Sequence, residues 1–159
     1  MIYSLTFQMK IGKKHYQMNR FFNNGEESYP TIKTVKMKAI SLKQPWANLV
    51  IAGQKIIETR VWKTNYRGDL VICSSAKPDL VHVHANVPRD PMGYALGIVD
   101  VYDIVKMNRN HEKEAMCQLY DGAYAWLLRS IREFKKPIPI KGQLNLFDIE
   151  LPYVAIQFK

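Results

Sequence analysis

The chain has 159 residues and a net charge of +9, a size that suits one globular domain and a charge that favours an anionic partner such as nucleic acid. Hydrophobic residues make up 47% and charged residues 23%, a balance that supports a packed core and excludes wholesale disorder. No apolar run approaches the roughly 20 residues that span a bilayer, and two cysteines cannot form a disulfide framework, so we expect a cytoplasmic protein away from membranes.

The first 36 residues differ in pattern from the rest of the chain. Short alternating stretches, as at 3–7, precede a turn-like cluster at 21–25, and much clearer patterning begins at Met37. Either these residues are an appendage or Met37 is the natural start. We therefore predict an N-terminal extension at 1–36, outside the core, and one domain at 37–159.

The domain is predicted to begin with a strand at 38–42 and a short helix. Pro45 suits the first position of that helix, and Gly53 suits the left-handed residue after its end. Between them Trp46 belongs to an apolar face with i, i+3 and i+4 spacing, so we expect it in the core.

The remaining pattern predicts short strands and one more helix. Strands are expected at 56–62, 70–74, 96–105, 124–128 and 153–158, and a helix at 111–120. The proline-containing stretch at 76–92 is expected to form a long, flexible or lid-like loop. Many short strands with two helices predict an α+β domain built around a small β-barrel.

Several segments resemble a known family. Residues 40–47 (Ile-Ser-Leu-Lys-Gln-Pro-Trp-Ala) and 53–60 (Gly-Gln-Lys-Ile-Ile-Glu-Thr-Arg) resemble the ASCH family, whose mark is G-x-K-x-x-E-x-R. Supporting matches follow in the expected order at 66–68, 70–77, 95–99, 124–128 and 137–142. The resemblance implies a PUA-like barrel of five or six strands, with a cleft beside the motif, and it leaves 1–36 uncovered.

The resemblance also implies function. Members of the family are linked to RNA binding, some small bacterial relatives hydrolyse the acetyl amide of N4-acetylcytidine, and one is a ribonuclease. In the amidohydrolase type the motif lysine is catalytic, which points to Lys55. Its partner there is a threonine, and this chain has Glu58 at that position instead.

The chemistry of the motif supports a site without the resemblance. Lys55 can serve as a fixed cation, Glu58 as a general base or as an acceptor for a base's exocyclic amine, and Arg60 as a planar fork for phosphate. In a regular strand Glu58 and Arg60 share a face, so Lys55 joins them only if the chain is still turning after Gly53. The alternative is a Glu58–Arg60 pair that holds the fold, with Lys55 in solvent.

A wider ligand-binding set surrounds the motif. Aromatic faces stack on bases, and Trp62, flanked by charged residues, is expected to face the ligand, whereas Trp126 is expected in the core. The predicted binding residues, basic, aromatic or polar, are Lys43, Gln44, Arg60, Trp62, Tyr66, Arg67, Ser74, Lys77 and Lys141.

No metal or cofactor is expected. His82 and His84 alternate as two ligands on one strand would, but no third ligand stands at a convincing spacing. His111 begins a segment that lacks the second histidine of a zinc-protease helix.

Three functions remain open from the sequence. The first is a module that binds RNA or a modified nucleoside. The second is a small hydrolase, an amidohydrolase of the N4-acetylcytidine type or a ribonuclease, that uses Lys55 and Glu58. The third is a protein-interaction barrel. A closed pocket around Lys55 and Glu58 would favour chemistry, and an open basic groove with an exposed Trp62 would favour polymer binding.

Overall fold

A computed structural model describes residues 2–11, 14–23, 26–28, 33–77, 79 and 91–159. The chain divides into two units, Met1–Lys33 and Thr34–Lys159. The first unit contains an antiparallel sheet of three strands, β1 (Ile2–Ile11), β2 (Lys14–Asn23) and β3 (Glu26–Ser28), in the order β1-β2-β3. The alternating pattern at 3–7 is thus part of a ten-residue strand.

The second unit contains a six-stranded sheet with two short helices. In chain order its elements are β4 (Thr34–Leu42), α1 (Trp46–Ile51), β5 (Ile57–Arg60), β6 (Gly68–Ser74), β7 (Tyr94–Lys106), α2 (Glu112–Ala115), β8 (Tyr124–Pro139) and β9 (Leu146–Pro152). The sheet order is β5-β8-β7-β6-β4-β9. Strands β4 and β6 are parallel, and the other neighbours are antiparallel.

This architecture confirms the predicted class of a strand-rich domain with few, short helices. Strands β5 and β9 lie at the two ends of the hydrogen-bonded order, and no ladder joins them within the described ranges. The PUA-like barrel itself therefore stays a prediction. No helix among the described residues is long and apolar enough to span a membrane.

Strand β4 begins at Thr34, before the predicted boundary at Met37. Its first three residues pair with the end of β9, Thr34 opposite Pro152 and Lys36 opposite Glu150. Lys36 Nζ also lies 3.4 Å from a Glu150 carboxylate oxygen. Residues 34–36 therefore belong to the six-stranded sheet.

Other predicted elements differ in length or kind. The strand predicted at 153–158 is wrong, because Tyr153–Ala155 is a 3-10 turn and the last strand precedes it. Strand β8 has sixteen residues, whereas a strand of five was predicted. Its second half is rich in charged residues, so the alternation of apolar and polar residues is not visible there in the sequence. The second helix covers only Glu112–Ala115, after a 3-10 turn at Arg109–His111. Most of the predicted loop at 76–92 lies outside the described residues.

Apolar side chains fill both faces of the sheet. Along β4, Ile40 belongs to the cluster that α1 covers, whereas Ala39 belongs to the cluster on the opposite face. Strand β6 divides in the same way, with Ile72 on the helix side and Cys73 on the other. This two-sided burial holds the ends of β4 and β6 in place beside the start of α1, where the candidate site lies.

Candidate functional site

A cavity of about 960 Å³ lies where β4, β5, α2 and the chain segment before β9 meet. Its lining includes Lys55, Glu58 and Arg60, which we call the floor because the first two are buried. It also includes Lys43, Lys77 and Lys141, which we call the rim because all three are exposed. The cavity therefore gathers six of the residues predicted from the sequence.

Lys55 enters the floor from the turn that follows α1. Gly53 takes a φ of 72°, the left-handed value predicted for it, and Lys55 N–H then donates to Leu49 O at 3.0 Å. Strand β5 begins only at Ile57, so Lys55 precedes it and is not bound by the alternation of the strand. Because the chain is still turning at Lys55, its side chain can point to the same side as that of Glu58.

All three ammonium protons of Lys55 have an acceptor within reach. Lys55 is only 4% exposed, and its Nζ donates to Ile57 O at 2.7 Å and to Ala115 O at 2.6 Å. Nζ also lies 3.5 Å from Glu58 Oε2. The alternative with Lys55 in solvent is therefore wrong, because two carbonyls and one carboxylate replace its hydration.

Glu58 lies between two cations. Its Oε2 faces Lys55, and its Oε1 lies 3.3 Å from Arg60 Nε. Arg60 in turn donates from a terminal guanidinium nitrogen to Ser41 O at 3.2 Å, which ties it to β4. The Glu58–Arg60 pair predicted as a structural alternative is present, and it faces the same cavity as Lys55.

Trp46 and Trp62 both pack against the helix-side core cluster, and of the two it is Trp46 that lines the cavity. Trp46, expected in the core, is half-buried, lines the cavity and donates from Nε1 to Asp79 Oδ2 at 3.1 Å. Lys55 Nζ lies 5.9 Å from the Trp46 ring centroid. Trp62 packs edge-on against the buried Trp126, with ring centroids 4.8 Å apart, and lies away from the described cavity lining.

Four other predicted binding residues also lie outside that lining. Gln44 is buried, with its side chain bonded to Asn48 and to Pro91 O, and Ser74 Oγ bonds both backbone groups of Tyr94.

Tyr66 and Arg67 make local contacts. Tyr66 donates from its hydroxyl to Asp69 O, and burial, followed by the charges of Asp69 and Asp100, raises the pKa of Tyr66. Arg67 pairs with Asp103 at 2.8 Å. The hydrogen bond from Ile104 N–H, then that from Arg67, lowers the pKa of the Asp103 carboxyl.

Sequence reasoning missed several residues of the cavity wall. Cys117 and Tyr120 follow α2, and Cys117 Sγ lies 3.7 Å from Thr59 Oγ1. Gly142 lies against Ser41, so close that a Cβ atom on it would stand 2.7 Å from Ser41 Oγ. No local sequence pattern connects these residues with the motif, because they lie far from it along the chain. Thr59 and Cys117, for example, are 58 residues apart.

Within the described part of the chain, no three His, Cys, Asp or Glu side chains come close enough together to hold a metal ion. His82 and His84 lie outside the described residues.

Comparisons with known proteins give one family and several relatives. The sequence model of the ASCH domain matches residues 40–138. Activating signal cointegrator 1 of Homo sapiens and of Mus musculus are each 28% identical to this chain over 127 residues, which covers 70% of the chain and 22% of the relative. The chain thus spans less than a quarter of the length of these two curated relatives.

Two solved ASCH structures match part of this chain. The crystal structure of ASCH from Zymomonas mobilis has 21% sequence identity and a TM-score of 0.46, covering 64% of this chain and 72% of that one. The structure of a point mutant of the same protein has 19% identity and a TM-score of 0.45, covering 65% and 73%.

Proposed function

This chain belongs to the ASCH domain family, and on that premise we propose that its cavity binds single-stranded RNA or a modified nucleotide, with the base on the floor and the phosphates at the rim. The observation that carries the proposal is the arrangement of polar groups along the cavity. A buried carboxylate, Glu58, paired with Lys55 and Arg60, occupies the floor, and three exposed lysines occupy the rim.

This arrangement favours one orientation of a nucleotide. The carboxylate of Glu58, already paired with Lys55 and Arg60, can accept hydrogen bonds from a base. The rim lysines attract phosphate and stay close to solvent, where a chain of further nucleotides can continue. Among the described residues, none of the three rim lysines forms an ion pair, so their charges are available to a ligand.

The size and lining of the cavity fit such a ligand. Its volume of about 960 Å³ is at the upper end of the range for small-molecule sites, roughly 300–1,000 Å³, and leaves room for more than one nucleoside. Trp46 and Tyr120 supply aromatic faces on its walls, and base stacking on such faces contributes about 1–3 kcal/mol per base.

The contacts of Lys55 favour binding over chemistry. A general base or nucleophile needs a free lone pair, whereas the Lys55 ammonium donates to Ile57 O and Ala115 O and faces Glu58. In this arrangement Lys55 positions Glu58 and neutralises it.

Hydrolysis is the second candidate, favoured by one observation. Lys55 and Glu58 lie within 3.5 Å of each other in one cavity, which is the arrangement expected of a hydrolase that uses both residues. Glu58 would take a proton from water, the hydroxide would add to the amide carbonyl, and the C–N bond would break as the proton passes to the leaving amine. Incubation with N4-acetylcytidine tests this, because cleavage releases acetate and leaves cytidine, which mass spectrometry identifies.

The experiment that tests RNA binding is a salt titration. Affinity for a short fluorescent single-stranded RNA should fall with rising salt, with a log–log slope of about −0.7 per phosphate contacted. Replacing one rim lysine, as in Lys43→Gln or Lys141→Gln, should make that slope shallower by about 0.7. Lys63→Gln is the matched control, since Lys63 is exposed but does not line the cavity.

An affinity that does not change with salt, or one that Lys63→Gln weakens as much as Lys43→Gln does, would contradict the proposed orientation.

A further inference from the structure

Resting on the proposed RNA-binding function, we propose further that the cavity selects guanine, and that Glu58 recognises its Watson–Crick edge. The proposal depends on the two carboxylate oxygens of Glu58, of which Oε2 lies 3.5 Å from Lys55 Nζ and Oε1 lies 3.3 Å from Arg60 Nε.

The Glu58 carboxylate offers two neighbouring acceptors. An ionised carboxylate has about four lone-pair positions, and each oxygen of Glu58 faces one cation, Lys55 or Arg60. Acceptor capacity therefore remains on both oxygens, and Glu58 lines the cavity. A ligand with two adjacent donors would therefore complement the two oxygens.

Arg60 fixes the carboxylate from its Oε1 side. Its Nε is closed to solvent and lies 3.3 Å from Glu58 Oε1, and a terminal guanidinium nitrogen donates to Ser41 O. The floor therefore presents the two oxygens of Glu58 as adjacent acceptors.

Guanine alone among the common bases presents two adjacent donors on its Watson–Crick edge. Its Watson–Crick edge carries the O6 acceptor, the N1–H donor and the exocyclic N2 donor. Adenine and cytosine each place a ring-nitrogen acceptor beside the amino group, which the carboxylate repels. Uracil has one donor between two carbonyl oxygens. Only guanine can satisfy both oxygens of Glu58, and single-stranded RNA exposes this edge.

The floor is held rigidly enough to discriminate. Lys55 is tied to Ile57 O and Ala115 O, and Arg60 is tied to Ser41 O, so the two cations hold Glu58 from both sides. A base that places an acceptor against the carboxylate loses a charge-assisted hydrogen bond and adds repulsion in a site with little water.

The test compares guanosine with inosine, which lacks only the exocyclic 2-amino group. Short RNAs of uridine are prepared with one central guanosine, inosine, adenosine or cytidine. The wild-type protein should bind the guanosine RNA at least about tenfold more tightly than the other three. The comparison needs no variant, so it does not depend on whether a floor variant folds.

Glu58→Gln provides the second arm. The amide keeps the shape but presents one donor and one acceptor, so the preference for guanosine over inosine should disappear. Glu133→Gln is the matched control, because Glu133 pairs with Lys159 away from the cavity lining.

Equal affinity of the wild type for all four RNAs would overturn guanine selection while leaving RNA binding intact. Failure to bind any of them would overturn the proposed function itself. A guanosine preference that survives in folded Glu58→Gln would also overturn the role of Glu58.

Discussion

The ammonium nitrogen of Lys55 lies 3.5 Å from Oε2 of Glu58, in a pair of residues that are only 4% and 8% exposed. From the sequence alone, replacing Lys55 is expected to change stability little, and the burial of this pair argues against that. Removing Lys55 leaves the carbonyls of Ile57 and Ala115 without their donor and leaves Arg60 as the cation paired with Glu58.

Lys55→Met should therefore destabilise the domain as well as weaken ligand binding. We expect the free energy of unfolding to fall by about 3–5 kcal/mol, the usual effect of cutting a buried ion pair. Urea denaturation measures this loss. Lys43→Met, at an exposed rim position, should change stability by no more than about 0.5 kcal/mol. Equal stability of the two variants would contradict the burial argument.

Gly142→Ala should disturb the cavity wall through a single contact. Because its Cβ would stand 2.7 Å from Ser41 Oγ, one of the two segments must shift. We expect a loss of stability of about 1–3 kcal/mol, as for other overpacked sites, together with weaker binding. Ser41→Ala removes the oxygen, so the double variant should recover most of the loss. A double-mutant cycle with no coupling between the two positions would contradict this contact.

Burial of Cys73 should make stability depend on pH in the alkaline range. Burial raises the pKa of the Cys73 thiol from 9.0 to about 12, so the unfolded chain loses this proton at a lower pH than the folded protein. Between about pH 9 and about pH 12 the unfolded state binds fewer protons, and the free energy of unfolding falls as pH rises, by up to about 1.4 kcal/mol per pH unit.

Urea denaturation at about pH 8 and about pH 10 measures this pH dependence. Cys73→Ala should lose less stability than the wild type over that interval, and Cys117→Ala as much as the wild type. The prediction fails if Cys73→Ala and the wild type lose the same amount.

The two thiols should differ in reactivity. Cys73 is fully buried, whereas Cys117 is partly exposed and lines the cavity. Because the thiolate is the nucleophile, a maleimide should label only Cys117 in the folded protein and both thiols in denaturant. Bound RNA should slow the labelling of Cys117. Mass spectrometry after digestion locates the label, and rapid native labelling of Cys73 would contradict the burial.

The N-terminal prediction is best tested with two truncations. A chain that starts at Thr34 keeps the whole of β4, and we expect it to unfold cooperatively with a stability change of no more than about 1–2 kcal/mol. A chain that starts at Met37 loses three residues that pair with β9, including Lys36, and should be less stable than the first by about 1 kcal/mol or more. Loss of cooperative unfolding in the chain that starts at Thr34 would show that residues 1–33 complete the core.

The sequence by itself determined the local structure around the site, namely the ends of α1 and the positions of the motif residues. Pro45 and Gly53 enclose α1, and Gly53 has the positive φ that was predicted for it. The resemblance to the ASCH motif identified Lys55, and charge and spacing identified Glu58 and Arg60; the structure places Glu58 within 3.5 Å of each of the other two. Turns, helix ends and motif spacing depend on neighbours a few residues away, so a single sequence carries them.

Only the tertiary structure decided which distant residues surround the motif. Trp46 and Trp62 both pack against the helix-side core cluster, but Trp46 lines the cavity whereas Trp62 contacts Trp126. The Ala115 carbonyl that binds Lys55 lies 60 residues further along the chain. Periodicity shows which residues are apolar, but strand register determines which distant residues cover them, and register depends on contacts along the whole sheet.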